Sequence, residues 1–313
     1  MAVELDARAA GARRLAGKVC VVTGAGQGIG RAAARRLGQE GGKIVVADRV
    51  DESATRTVDE LREHGVEALK VLADLSTFAG AQNLMSQARD AYGRVDVLVN
   101  NVGGTIWIKP YHLYSEEEVK RELERSLHPT LWCCLAALPI MMEQKAGSIV
   151  NVGSQSIRGL YRAPYATSKG GILALTKVLA MEYGRYGIRI NTMSPGGTDI
   201  PDRVTPRQLI APGIMADDGD EAQAENFRRE MAEDIRSQQA LRRRGTPEEQ
   251  AGHRVPGVRR RELHYWAGDQ LQRRAVVERK VSSLNAVCTG SCPAGRQFRC
   301  SSIAARRRRR GCR

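Results

Sequence analysis

Six short apolar runs, separated by stretches of helical periodicity, constrain the fold of this chain more than any other feature. Residues 18–23 read Lys-Val-Cys-Val-Val-Thr and residues 43–48 read Lys-Ile-Val-Val-Ala-Asp. Both runs are β-branched and nearly continuous in apolar character. A strand apolar on both sides of its pleat is buried on both faces, as strands of a parallel sheet are. Similar runs at 66–74, 95–100, 148–153 and 188–197 alternate with helical stretches near 28–40, 51–64, 77–92, 115–144 and 164–183. This alternation predicts an α/β fold, a doubly wound parallel sheet with helices on both faces and right-handed crossovers.

Where the first strand meets the first helix the chain reads Thr23-Gly24-Ala25-Gly26-Gln27-Gly28-Ile29-Gly30. Glycines here allow a tight turn and let the backbone approach a pyrophosphate, which then sits on the positive end of the following helix. The context gives the cluster its weight, because it follows a strand and opens a helix. Asp48 ends the second strand, placed for the ribose hydroxyls of an adenosine. A carboxylate there repels a 2′-phosphate, so NAD is expected over NADP; Arg49 beside it leaves NADP open.

Tyr165 and Lys169 stand four residues apart in a helical stretch and so share one face. A phenol has an unperturbed pKa of about 10 and is a poor base at neutral pH. An ammonium held beside it stabilises phenolate and lowers that pKa, which makes Tyr165 a usable general base. Alone, Tyr-x-x-x-Lys is a weak signal. After the fifth strand, downstream of Ser154 and Ser156 and in a chain that begins with a dinucleotide loop, it is a strong one.

The net charge of +14 invites a nucleic-acid reading, but it is concentrated in one place. From Gly252 to Arg313 sixteen Lys and Arg stand against three acids, so the body before them is close to neutral. No apolar run approaches the roughly 20 residues of a spanning helix. The first residues lack a secretory pattern and the cysteines before residue 250 suggest no disulfide framework, so a cytoplasmic protein is expected. No metal site is expected either.

Thr-Gly-x-x-x-Gly-x-Gly at 23–30, Asp74-Leu75, Asn100-Asn101-Val102-Gly103, Tyr165 with Lys169, and Pro195-Gly196 resemble the short-chain dehydrogenase/reductase family in order and spacing. The resemblance covers residues 14–251 and implies a Rossmann-type fold that binds NAD. It implies cofactor contacts from Thr23, Gly24, Gln27, Gly28, Ile29, Gly30, Asp48, Asp74, Leu75, Pro195, Gly196 and Thr198. By the same resemblance Asp74 contacts the adenine, Asn100 braces the cofactor-side loop, and Lys169 holds the nicotinamide ribose. Ser154 holds the substrate oxygen, with Ser156 as the competing serine. Ser126 stands where the family has an asparagine that holds a water of the proton relay. A hydroxyl can also bond a water, so a modified relay is expected.

Three stretches, "NNVGGTIWIKP" from 100, "RSLHPTLWCC" from 125 and "YRAPYATSKGG" from 161, resemble the benzoate cis-diol dehydrogenases within that family. There NAD oxidises 1,6-dihydroxycyclohexa-2,4-diene-1-carboxylate to catechol. This implies an apolar wall for the ring, with Trp107 and Ile106 as candidates, and a cation for the carboxylate from Lys109, Arg158 or Arg162. Arg162, three residues before Tyr165, is the preferred anchor. The family also implies a homo-oligomer and no membrane partner. Another cis-diol dehydrogenase or a 3-oxoacyl reductase is the alternative within the family, and a nucleic-acid-binding protein the alternative outside it.

The resemblance ends at Leu241–Ala251, where Thr246 is placed to cap a short helix. Family members continue with a Phe-Leu-Ala-Ser segment, an Ile-Thr-Gly and a seventh strand. Codons for Val255–Trp266 can be written that, read one base out of register, encode Phe-Leu-Ala-Ser-Asp-Asp-Glu-Ser-Ser-Ile-Thr-Gly. Residues 1–251 are therefore expected to form the dehydrogenase domain. Residues 252–313 are expected to be an out-of-frame, disordered, Arg- and Cys-rich tail, and the sheet to lack the family's last strand.

Overall fold

The computed structural model describes residues 13–200, 221–238 and 244–251. The six strands are β1 (Val19–Thr23), β2 (Lys43–Asp48), β3 (Ala68–Leu72), β4 (Val97–Asn100), β5 (Gly147–Val152) and β6 (Ile188–Met193). Between them run α1 (Gly28–Gln39), α2 (Asp51–Glu63), α3 (Phe78–Tyr92), α4 (Glu116–Ser126), α5 (His128–Gln144) and α6 (Ala163–Tyr183). Two helices follow β6: α7 (Glu221–Gln238) and α8 (Pro247–Ala251).

Every ladder is parallel, in the order β3-β2-β1-β4-β5-β6. The pleat sends alternate residues to opposite faces. Val19 and Val21 join a core with Leu84, Met85, Cys133, Met141 and Ile149 on the α3 and α5 side. Cys20 and Val22 join Leu37, Val46, Ala54, Val58 and Leu61 on the α1 and α2 side. Each fully buried aliphatic side chain stabilises the fold by roughly 1.5–3 kcal/mol. Covered faces on both sides explain why the strands read as unbroken apolar runs. The winding reverses between β1 and β4, and doubly wound sheets bind ligands beyond the carboxyl ends of their strands at that reversal.

One expectation about the helices needs correction. The single helix expected over 115–144 is two, α4 and α5, which meet at Leu127 (φ −113°, ψ −51°). Pro129 has no N–H to give the carbonyl four residues before it, at Arg125, and its ring crowds that carbonyl. Thr130 N–H consequently turns back to the Leu127 carbonyl at 3.1 Å. A capping box starts α4: Glu118 N–H donates to Ser115 Oγ, and the Glu118 carboxylate accepts from Ser115 N–H at 2.7 Å.

Thr246 caps α8 as its sequence suggests, its hydroxyl accepting from Glu249 N–H at 3.3 Å. Among the described residues β5 is the one ladder partner of β6. The stretch 198–225 mixes prolines, glycines and acids, a composition that reads as a mobile lid; its residues 201–220 lie outside the described residues, as does the whole tail 252–313.

Candidate active site

A cavity of about 740 Å³ opens over the carboxyl ends of the strands. Segments following all six strands line it, from Gly24 after β1 to Pro195 after β6. The glycine turn forms its floor. Gly24 and Gly28 hold φ of +61° and +57°, which only glycine adopts without strain. A Cβ on Gly30 would lie 2.1 Å from the Gly24 carbonyl oxygen. That close approach brings α1 up under the turn. Gln27 and Ile29 also line the cavity, whereas Gly30 acts through packing and Thr23 lies beneath the lining.

Asp48 lines the cavity at the end of β2, with one carboxylate oxygen accepting from Gly26 N–H at 2.9 Å. The other accepts from Arg49 and Val50 N–H at 2.8 and 3.1 Å, which fixes the carboxylate in place. Asp74 and Leu75 reach the cavity after β3, and Pro195, Gly196 and Thr198 after β6.

The bracing expected of Asn100 belongs to its neighbour. Asn100 is buried in the sheet, donating to Asn151 Oδ1 at 2.9 Å and lying 3.3 Å from Cys134 Sγ. Asn101 instead donates to the carbonyls of Thr23 and Gly24 at 3.0 and 3.1 Å. Its N–H donates to Thr23 Oγ1 at 2.9 Å, while that hydroxyl donates to the Val99 carbonyl. Alternation across the strand end explains the exchange, since consecutive residues face opposite ways.

On the α6 side, Lys169 is fully enclosed and donates to the Val152 carbonyl at 2.8 Å. Burial brings its ammonium down to about 8. The nitrogen lies 5.8 Å from the centre of the Tyr165 ring, on the shared helix face. Ser154 is 6% exposed, lines the cavity and accepts from Ser156 N–H at 3.0 Å; Ser156 lines it too. Tyr165, Lys169 and Ser154 thus meet at one wall.

Ser126, the expected relay position, stands against Gly103, as Lys169 Nζ does. It is buried outside the cavity lining, and its hydroxyl accepts from Gly104 N–H at 3.2 Å and donates to Gly104 O at 3.3 Å. One turn earlier Glu122, also fully buried, accepts from the N–H groups of Ile106 and Trp107 at 2.6 and 3.1 Å. Burial pushes its carboxyl above the usual range, against the pull of those donors and of Arg125. Helix α4 therefore holds the 104–107 loop by its backbone.

That hold decides which substrate-side candidates reach the cavity. Ile106 and the buried Arg162 line it; Trp107, Lys109 and Arg158 do not. The Trp107 ring packs under the Arg121 guanidinium at 5.9 Å, and Lys109 pairs with Glu118 at 2.6 Å. Arg158 is an exposed residue of a single 3-10 turn.

A family model described as short chain dehydrogenase matches residues 18–208. The chain belongs to the short-chain dehydrogenase family. It is 50% identical over 195 residues to the 1,6-dihydroxycyclohexa-2,4-diene-1-carboxylate dehydrogenase of Acinetobacter baylyi, an overlap of 62% of this chain and 74% of that protein. The identically named protein of Pseudomonas putida is 52% identical over 188 residues, 60% of this chain and 69% of its own length. Among solved structures, an NAD+-bound xylitol dehydrogenase superposes with a TM-score of 0.65 at 29% identity, covering 76% of this chain and 90% of that one.

As a short-chain dehydrogenase the chain carries three site residues that its sequence did not announce. Asn101 was one position from the residue chosen. Glu122 and Arg125 sit in a helix rich in charge, where alternating acids and bases read as a solvated face. The available signal was their spacing from Ser126, since 122 and 126 share a helix face. Among the described residues no group of three His, Cys, Asp or Glu could hold a metal, and no helix is long and apolar enough to cross a membrane.

Proposed function

We propose that this enzyme oxidises cis-1,6-dihydroxycyclohexa-2,4-diene-1-carboxylate, the cis-diol of benzoate, to catechol and carbon dioxide, with NAD as its cofactor. The observation that carries the reading is Arg162, 7% exposed and lining the same cavity as Tyr165 and Lys169. A guanidinium beside the proton-transfer pair suits a substrate with a carboxylate next to the carbon that reacts. The two relatives at about half identity carry the name of this activity.

The residues present fit NAD. Gly24 and Gly28 line the cavity at positive φ, and Gly30 lets α1 approach the turn, at the start of a helix whose N-terminus favours an anion. The fixed Asp48 carboxylate suits two ribose hydroxyls and disfavours a 2′-phosphate. Asp48→Ala is expected to reduce the kcat/KM preference for NAD over NADP by roughly tenfold or more, the size of one lost charge-assisted hydrogen bond. An unaltered ratio would place the ribose elsewhere.

NAD held by these residues would supply the hydride acceptor, and the secondary carbinol is the only ring carbinol that carries a hydrogen to give. Tyr165 as phenolate takes the hydroxyl proton, Lys169 holds that phenolate by its charge, and Ser154 donates to the substrate oxygen. Arg162 orients the ring by its carboxylate, and Ile106 presents an apolar wall. The resulting ketone lies β to the carboxylate. Loss of carbon dioxide leaves its electron pair in the ring, which becomes aromatic catechol.

The purified full chain, given NAD and the benzoate cis-diol, is expected to form NADH and catechol in equal amounts. NADH without catechol would indicate another cis-diol or alcohol substrate. The near-neutral charge of residues 1–251 supports an enzyme that works without nucleic acid as a partner. Val178 and Met181, 51% and 85% exposed on α6, support association into a homo-oligomer.

A further inference from the structure

We infer that Arg125 is a specificity-determining residue of this site, a guanidinium on α4 that reads the substrate carboxylate beside the reacting carbon. The inference rests on the reading above and deepens it, because Arg125 adds a second guanidinium to the Arg162 already expected from the sequence.

The placement comes from two glycines. Gly103 and Gly104 hold φ of +145° and +157°, a backbone that side chains rarely allow. A Cβ on Gly103 would lie 3.0 Å from Lys169 Nζ. A Cβ on Gly104 would lie 3.8 Å from Arg125 Nη2 and 3.9 Å from its Nε. One peptide unit, about 3.8 Å between Cα atoms, therefore separates the residue against the ammonium from the residue against the guanidinium. Both cations and both glycines line the cavity. In the substrate the carboxylate and the oxidised hydroxyl sit on adjacent ring carbons. A cation that reads the carboxylate must line the same cavity as the Tyr165–Lys169 pair, as Arg125 does.

Its neighbours on α4 hold Arg125 in place. Ser126 bonds both backbone groups of Gly104, and Glu122, one turn before, bonds Ile106 and Trp107. The turn that carries Arg125 is thus tied to the loop that closes the cavity, and a guanidinium already in position loses little entropy on binding an anion.

The test compares the full chain with Arg125→Gln and Arg125→Lys on two diols, benzoate cis-diol and the carboxylate-free benzene cis-diol. Arg125→Gln is expected to lower the ratio of kcat/KM for the first over the second by about ten- to a hundredfold, with the loss mainly in KM. Arg125→Lys keeps the charge without the fork and is expected to recover part of that ratio. NADH fluorescence titration checks that each variant is folded. An equal loss on both diols would overturn the inference, since that is the mark of a merely structural residue.

Benzoate binding to the NAD-saturated protein, measured by calorimetry, separates this inference from the reading beneath it. Should the parent enzyme oxidise neither diol, that reading falls. A benzoate affinity at least tenfold weaker in Arg125→Gln would still sustain Arg125 as the anion reader, and equal affinities, or benzoate binding to neither protein, would overturn it.

Discussion

Tyr165→Phe is expected to lower kcat by about 10²–10⁴, the usual contribution of a positioned general base. NADH affinity, followed by fluorescence titration, is expected to change by no more than a few fold, because the ring and its packing remain. The expectation follows from geometry. Tyr165 lines the cavity, and the enclosed Lys169 nitrogen stands 5.8 Å from its ring centre. Among the described residues no other at that wall combines an ionisable hydroxyl with a neighbouring ammonium. The pH profile supplies a second readout. Lys169 titrates at about 8, so kcat/KM of the parent enzyme is expected to fall above that pH as the charge supporting phenolate disappears. A variant that retains a tenth or more of the parent kcat would move the base to another residue.

The sheet was legible in the sequence because burial on both faces demands unbroken β-branched runs, and such runs have few other readings. The cofactor turn was legible for a similar reason. Its glycines answer to backbone constraints that no other residue meets, as the 2.1 Å approach at Gly30 illustrates. The break at Leu127 was not legible. A proline at the second position of a helix is compatible with helical periodicity, so the apolar pattern runs through it undisturbed.

The substrate side was hardest to read. Trp107 and Lys109 have side chains of the right type, but a loop's sequence does not state which way its residues turn. Glu122 settles that by bonding the loop's backbone, an interaction between segments 15 and 16 residues apart. Ser126 has a partner that its sequence did not announce. Its hydroxyl bonds both backbone groups of Gly104, so it shapes the loop beside Lys169. Chemistry-bearing types were visible in the sequence, whereas orientation depended on long-range packing.

Lys169→Met is expected to separate stability from activity. The parent ammonium sits enclosed, with the Val152 carbonyl as its hydrogen-bond partner at 2.8 Å, and burial lowers its pKa from 10.5 to about 8. A lowered lysine pKa means that the folded state holds the proton less firmly than the unfolded state does. Below about pH 8 both states are protonated, and the folded state bears the full cost of burying charge. Between about 8 and 10.5 the unfolded state binds more protons, so parent stability rises with pH in that window. A methionine fills similar volume without the charge, though it leaves the Val152 carbonyl without its donor. The net gain for the cofactor-free variant is about 1–3 kcal/mol at pH 7, since each pKa unit is worth about 1.4 kcal/mol and the lost hydrogen bond offsets part of it. Urea melts across pH 7 to 10.5 check this, and the gain should shrink steadily through that range. Over the same substitution kcat should drop by about 10²–10⁴, because the phenolate loses the charge that sustains it. Stability that falls in the variant at pH 7 would mean that the ammonium is solvated or paired in the folded protein, and the alkaline limb of the rate profile would then need another source.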